Sequence, residues 1–380
     1  MADQMVHIPQ IAPHNADLAL LQKQAEQAGM ASGDETALSY GLIDLQVNGF
    51  AGVDFNRAPI TADQLDLALA QLALTGVTSV LPTLITGADE HFEQTLDALE
   101  QAVNQSKLGP HMVLGYHIEG PFLSPKDGFS GAHNANHMGP ARIALYERLQ
   151  KSANGKIKLV TVAPEVTGVL TLIPELVAQN ICVSLGHTAA NGEQVSDAAS
   201  AGAMLCTHLG NGLPQQMHKT ENPLFWQLAE DRLFAMFIAD GIHVTKSALQ
   251  TMLRAKGVER SILSTDAVSA AGAKMPTGLY TLGEAEVERD AGGTVRIPGS
   301  KYLAGSSTTM DQMVRNVMDW YGYSFADVLT MTRTNPLKVL GNQPESLNSK
   351  TEQNFVEWQR HSTGLAVQRA YVGPYKIERE

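Results

Sequence analysis

Residues 181–208 read ICVSLGHTAANGEQVSDAASAGAMLCTH: a short aliphatic run, a longer amphipathic stretch and a second short run, with His187 and His208 where the two runs give out. Short β-branched or aliphatic runs alternating with longer amphipathic segments are the pattern of βα units. The alternation extends in both directions. GLIDLQV from Gly41, TSVLPT from Thr78, HMVLGYHI from His111 and IKLVTVA from Ile157 precede ICVSLG from Ile181 and AMLCTH from Ala203; LFAMFIA from Leu233 and SILSTD from Ser261 follow. One connecting stretch, TADQLDLALAQLALTG, has Thr61 placed to cap a helix and Gly76 placed to end it. Eight units predict an α/β protein, a (β/α)8 TIM-like barrel. An open doubly wound sheet would gather its ligand at one switch point, and neither GxGxxG nor GxxxxGK[ST] is present.

Five polar residues stand at or just beyond run ends: Glu119, His187, His208, His243 and Asp266. Polar groups delivered from separate strands to one end of a barrel are how a metal-dependent hydrolase collects its ligands and its proton carrier. The 380 residues carry a formal net charge of -12, 17% charged residues and no Lys/Arg run. That balance argues against a nucleic-acid or acidic-membrane partner, and it leaves an anionic substrate to be met by a few local cations. Cys182 and Cys206 lie inside apolar runs and read as reduced core residues, so a cytoplasmic location is expected. The start of the chain shows no signal-peptide pattern, and no apolar span suits a membrane helix.

Beyond the eighth run, SSTTMDQMVRNVMDWYG and SFADVLTMTRTNPLKVLG read as two helices, each opened by a capping serine. TGLAVQRAYVG reads as a short strand or two. Near the start, HNADLALLQKQAEQAG is helix-like and DETALSYG loop-like. The expected organisation is an N-terminal segment over 1–40, a barrel over 41–341 and a C-terminal tail over 342–380. The two terminal segments would form a small β-rich domain, reduced because 1–40 has little β-branched alternation.

The segments GLIDLQVNGFAGVDFN (41–56), GYHIEGPFLSPKDGFSGAHN (115–134), SLGHT (184–188), THLGNGLP (207–214), IADGIHV (238–244), STDAVSAAG (264–272) and LAGSSTTMDQMVRN (303–316) together resemble the N-acetylglucosamine-6-phosphate deacetylases of the amidohydrolase superfamily. The resemblance implies Glu119, His187 and His208 as ligands of one divalent metal, with zinc expected. Two imidazoles and a carboxylate suit a catalytic zinc that keeps an open position. It implies Asp266 as general acid/base, taking a proton from water and handing it to the leaving amine. It also implies His133 and His243, with main chain at Asn211, Gly212, Leu303, Ala304 and Gly305, as the sugar pocket.

Two local features bear on the metal count and on the phosphate contact. Where many amidohydrolases have His-x-His at the end of strand one, this chain has Gln46-Val47-Asn48, which favours one metal. A cyclic-amide hydrolase of the same superfamily would be expected to show that His-x-His and a bridging lysine. Where relatives grip the substrate phosphate with an arginine, this chain reads Met217-His218-Lys219-Thr220, so the contact falls to Lys219, on a loop that in the family reaches a neighbouring subunit. The expected substrate is a small amino-sugar phosphate and the expected assembly a homodimer. A barrel that has lost activity and senses sugar phosphates is the non-enzymatic alternative.

Overall fold

The computed structural model describes residues 10–14, 16, 18–26, 35–272, 274–341, 350–362 and 364–379. Eight parallel strands follow one another around a single sheet in chain order: Leu42–Val47, Val77–Ile85, Tyr116–Glu119, Ile157–Val162, Cys182–Leu185, Leu205–Cys206, Phe234–Phe237 and Ser261–Leu263. A parallel bridge from Val47 to Ala267, with Asn48 N donating to Ala267 O at 2.7 Å, brings the last strand's exit back to the first. Helices cover the outside, as a parallel sheet buried on both faces requires. The barrel prediction holds.

Local chemistry explains where elements begin. Thr61 caps the helix Ala62–Ala73 in a reciprocal box with Gln64. The third run behaves differently from its reading as one strand: His111 and Met112 belong to the short helix Gly109–Met112, opened by Pro110, and pairing starts only at Tyr116. Gly115 marks the break, since a Cβ there would stand 2.4 Å from Lys156 O. After the barrel, the first helix is Met310–Tyr321. Thr309, not Ser306, occupies its cap position, and Ser306 instead donates to Thr265 O at 2.6 Å. Ser324 does cap the second segment, which is broken into Phe325–Leu329, a π turn over Thr330–Thr334 and Asn335–Val339.

A separate five-stranded antiparallel sheet combines Gln10–Pro13, Thr36–Tyr40, Asn354–His361, Gly364–Val372 and Tyr375–Glu378. DETALSYG, read as a loop, supplies one of these strands. Tyr40 to Thr36 pair in register with Phe355 to Gln359, so a long partner strand imposes extension that local composition does not signal. The N-terminal helix runs over Leu18–Glu26.

Inside the barrel the strands' period of two separates three layers. At the bottom is an apolar floor, from Ile43, Leu81 and Leu159 through Cys182, Leu205 and Met236 to Ile262, closed below by Val339 and Leu340. Above it runs a buried polar chain: Thr83 to His117 (3.3 Å), His117 to Thr161 (2.7 Å), Thr161 to Thr207 (2.7 Å) and Thr207 to Ser184 (2.6 Å). Burial pushes His117 down to about 4, so its imidazole is neutral near pH 7. The third layer is the rim at the strands' C-terminal ends. Cys182 and Cys206 are buried and free, and burial pushes both thiols up to about 12.

Candidate active site

Glu119 ends the third strand, while His187, His208, His243 and Asp266 lie just beyond the fifth to eighth. All five line one rim cavity of about 160 Å³. His187, His208 and Asp266 hold left-handed backbone, at φ of 48°, 31° and 50°. Such a conformation costs a non-glycine residue on the order of 1–3 kcal/mol and persists only where surroundings enforce it. Each carbonyl is tied: His187 O accepts from Ser124 N, His208 O from Asn211 N and Nδ2, and Asp266 O from Ser306 N. The sharp turns let the side chains enter the barrel mouth.

The geometry at the centre is tight. His208 Nε2 lies 2.9 Å from Glu119 Oε1 and 3.1 Å from His187 Nε2, and His187 Nε2 lies 3.4 Å from the same oxygen. His133 Nε2 reaches the other carboxylate oxygen at 3.6 Å. Burial would push Glu119 up, but the imidazoles of His133, His187 and His208 gathered around it hold it well below the ordinary carboxylate range. Burial opposes the charged form of His208, and the Glu119 carboxylate outweighs it and raises the imidazole. A cation held here would displace that proton.

The donor set fits a divalent ion. Glu119, His133 and His187 bring possible ligand atoms within 4.8 Å of one another, and His208 Nε2 is closer to Glu119 than either of the other imidazoles. Contacts to the outer ring nitrogens set two of the histidines. His187 Nδ1 must donate to Phe129 O at 2.7 Å, leaving Nε2 as a lone pair aimed at the cluster. His133 Nδ1 is anchored by Thr86, 2.9 Å from Oγ1 and 3.3 Å from the backbone N, with Nε2 turned toward Glu119. Two imidazole nitrogens 3.1 Å apart beside one carboxylate oxygen form a convergent set of N and O ligands. This buried carboxylate–imidazole cluster suggests a divalent metal site.

Asp266 faces the cluster from the eighth strand. Its Oδ1 accepts from Asn48 Nδ2 at 2.7 Å, which gives Asn48 a defined task at the end of strand one. Burial pushes the carboxyl up to about 6, against the pull of His208. His243 Nδ1 donates to Asp240 Oδ2 at 2.7 Å, and its Nε2 is buried with no hydrogen-bond partner among the described residues. Asn211, Gly212, Leu303 and Gly305 line the cavity. Gly212 has φ 61°, and a Cβ there would stand 2.8 Å from His187 Nδ1, so the loop passes against the ring only because no side chain intervenes.

Two of the expected residues do not line this cavity within their own chain. Ala304 is 1% exposed and packs beneath the wall with Val268 and Leu282. Lys219 is exposed on its loop and does not line the cavity of its own chain. Lys301 and Tyr302 do line it, and neither was singled out in the sequence. A hairpin of Gly278–Leu282 and Ala285–Arg289, joined through Val295–Arg296, carries the chain to them. The readable signal was the alternation of TLGEAEV around the two-residue loop Gly283-Glu284.

A parallel barrel with a Glu/His cluster at its rim and an aspartate after the eighth strand defines the amidohydrolase class. No family model matches the chain. The N-acetylglucosamine-6-phosphate deacetylase of Bacillus subtilis (strain 168) is 35% identical over 309 residues, 81% of this chain and 76% of the relative. The N-acetylgalactosamine-6-phosphate deacetylase of Escherichia coli O157:H7 is also 35% identical over 309 residues, 81% of this chain and 79% of the relative. The crystal structure of N-acetyl-D-glucosamine-6-phosphate deacetylase from Mycobacterium smegmatis matches with a TM-score of 0.78 at 27% identity over 91% of each chain. The chain belongs to the N-acetylglucosamine-6-phosphate deacetylase family.

Proposed function

We propose that the chain hydrolyses the acetamide of N-acetyl-D-glucosamine 6-phosphate to acetate and D-glucosamine 6-phosphate, in amino-sugar catabolism. The observation that carries this reading is the convergence of Glu119, His187 and His208 with Asp266 at one barrel rim. Glu119, His187 and His208 would hold one divalent ion, zinc by the nature of the ligands. When bound, it supplies a Lewis acid that activates water and polarises the amide carbonyl. Asp266 Oδ1 is held by Asn48, leaving Oδ2 to take the proton of the attacking water and deliver it to the departing nitrogen. His133, anchored by Thr86, turns Nε2 into the site, where a protonated Nε2 would donate toward the developing oxyanion. His243, anchored by Asp240, meets the sugar.

The same proposal includes a homodimer, supported by Phe225, 48% exposed beside the Lys219 loop, and a cytoplasmic location, supported by two free buried thiols. Acetate release from the phosphorylated sugar by zinc-loaded protein tests the activity, with the galacto epimer as a parallel arm. Asp266→Asn is expected to lower kcat by about 10²–10⁴ with the fold intact. The acid limb of kcat/KM should lie at or below about pH 6, because the base must be ionised and a bound cation only lowers its pKa. A limb above pH 7, or full activity in Asp266→Asn, would remove Asp266 from the mechanism.

A further inference from the structure

We infer that Lys301 is the cation that recognises the substrate's phosphate monoester, an assignment that rests on the deacetylase reading above. Among the described residues lining the active cavity, Lys301 is the one lysine, and no arginine accompanies it. The other charged side chains there are the Glu119 and Asp266 carboxylates, which repel a phosphate dianion. In a chain of net charge -12, a bound phosphate must find a local positive group. Lys219 does not reach the cavity of its own chain. Lys301 stands on a braced segment: Ile297 N donates to Tyr302 O at 3.3 Å, Tyr302 N to Ser300 Oγ at 3.1 Å and Ala304 N to Val295 O at 3.2 Å. Tyr302 Oη donates to Asp127 Oδ1 at 3.0 Å, tying this segment to the loop after the third strand. The Lys301 ammonium sits 5.5 Å from the Tyr302 ring centroid. The base of the side chain is therefore fixed, and its four-carbon stem gives a point charge the reach to meet a phosphate at the cavity mouth.

The test measures steady-state acetate release from N-acetylglucosamine 6-phosphate and from N-acetylglucosamine, using zinc-loaded wild type, Lys301→Ala, Lys301→Arg and Lys219→Ala. Lys301→Ala should raise KM for the phosphorylated sugar about 10- to 100-fold, the span of one hydrogen bond to a charged group, with kcat nearly unchanged. Turnover of the unphosphorylated sugar should not move, Lys301→Arg should recover most of the loss, and Lys219→Ala should behave as wild type. An unchanged KM in Lys301→Ala, an equal loss on both sugars, or the full effect in Lys219→Ala would each overturn the assignment. Wild type that treats both sugars alike overturns phosphate recognition itself while leaving the deacetylase standing. Calorimetric titration with glucosamine 6-phosphate decides the role of Lys301 even in protein that releases no acetate: weakened binding in Lys301→Ala supports it and equal binding refutes it.

Discussion

Asp44 sits in the middle of the first barrel strand, fully buried, and accepts from Ser264 Oγ and Thr265 Oγ1 at 2.6 Å each, from Thr265 N at 3.2 Å and from Gln46 N at 3.3 Å. It fixes the two residues that precede Asp266, so a side chain on strand one sets the approach of the proposed base on strand eight. Burial pushes Asp44 up to about 6 despite four kinds of hydrogen bond that favour its ionised form. Unfolded, the same carboxyl titrates near ~3.9. The folded chain therefore binds this proton first as pH falls. Asp44 adds stability progressively from about pH 6 down to about pH 4, and above about pH 6 both states are ionised and the cost of burying the charge is fully present. Asp44→Asn removes the titration. Between pH 7 and pH 4 the stability of wild type relative to this variant should improve by about 2 kcal/mol, an order-of-magnitude figure from two pK units with the unfolded carboxyl half titrated at pH 4. Urea unfolding of both metal-free proteins across that range reads it, and pH-independent spacing of the two curves would refute it.

At the scale of elements, the caps next to the site are separable from its chemistry. Asn191 opens the helix Gly192–Ala201 four residues after His187, accepting from Gln194 N at 2.9 Å while Gln194 Oε1 accepts from Asn191 N at 3.0 Å. Asn191→Ala should cost about 1 kcal/mol of stability and leave zinc affinity unchanged; a matching loss of affinity would mean that the cap also positions His187. Caps and strand periods of this kind are local, which is why the eight barrel strands and the rim cluster were legible in the sequence. Thr36–Tyr40 was not, because its extension comes from pairing with Asn354–His361 more than three hundred residues away. The break in the third run was signalled by Gly109-Pro110 but masked by the apolar residues around it. Lys301 escaped notice because a lysine between Ser300 and Tyr302 resembles any surface lysine, and only the hairpin's return places it on the cavity wall. The settings of the His133 and His187 rings depend on Thr86 and Phe129 O, partners brought near by the fold.

Across the whole molecule, the helical shell of the barrel and the small sheet share one apolar core that runs from Leu42 and Leu65 to Val356, Trp358 and Ile377. Trp358, 1% exposed, packs edge-on against Phe325 at 5.6 Å between ring centroids, and its Nε1 donates to Ser39 Oγ at 2.9 Å. Arg333 donates to Gly41 O at 3.0 Å and to Thr351 O at 3.3 Å, and its guanidinium lies over the Tyr40 ring at 4.3 Å. These contacts join the small sheet to the start of the first strand, the end of the barrel opposite the site. A shared core makes the two regions one cooperative unit, so an ion bound at the rim stabilises both. Calorimetry should then show a single transition that zinc at about a hundred times its Kd stabilises by about 2.7 kcal/mol. Chelation should reverse the shift, His208→Asn should abolish it, and Asp266→Asn should retain it, because the aspartate moves protons without holding the ion. Two transitions, of which zinc moves only one, would show that the sheet folds independently of the barrel.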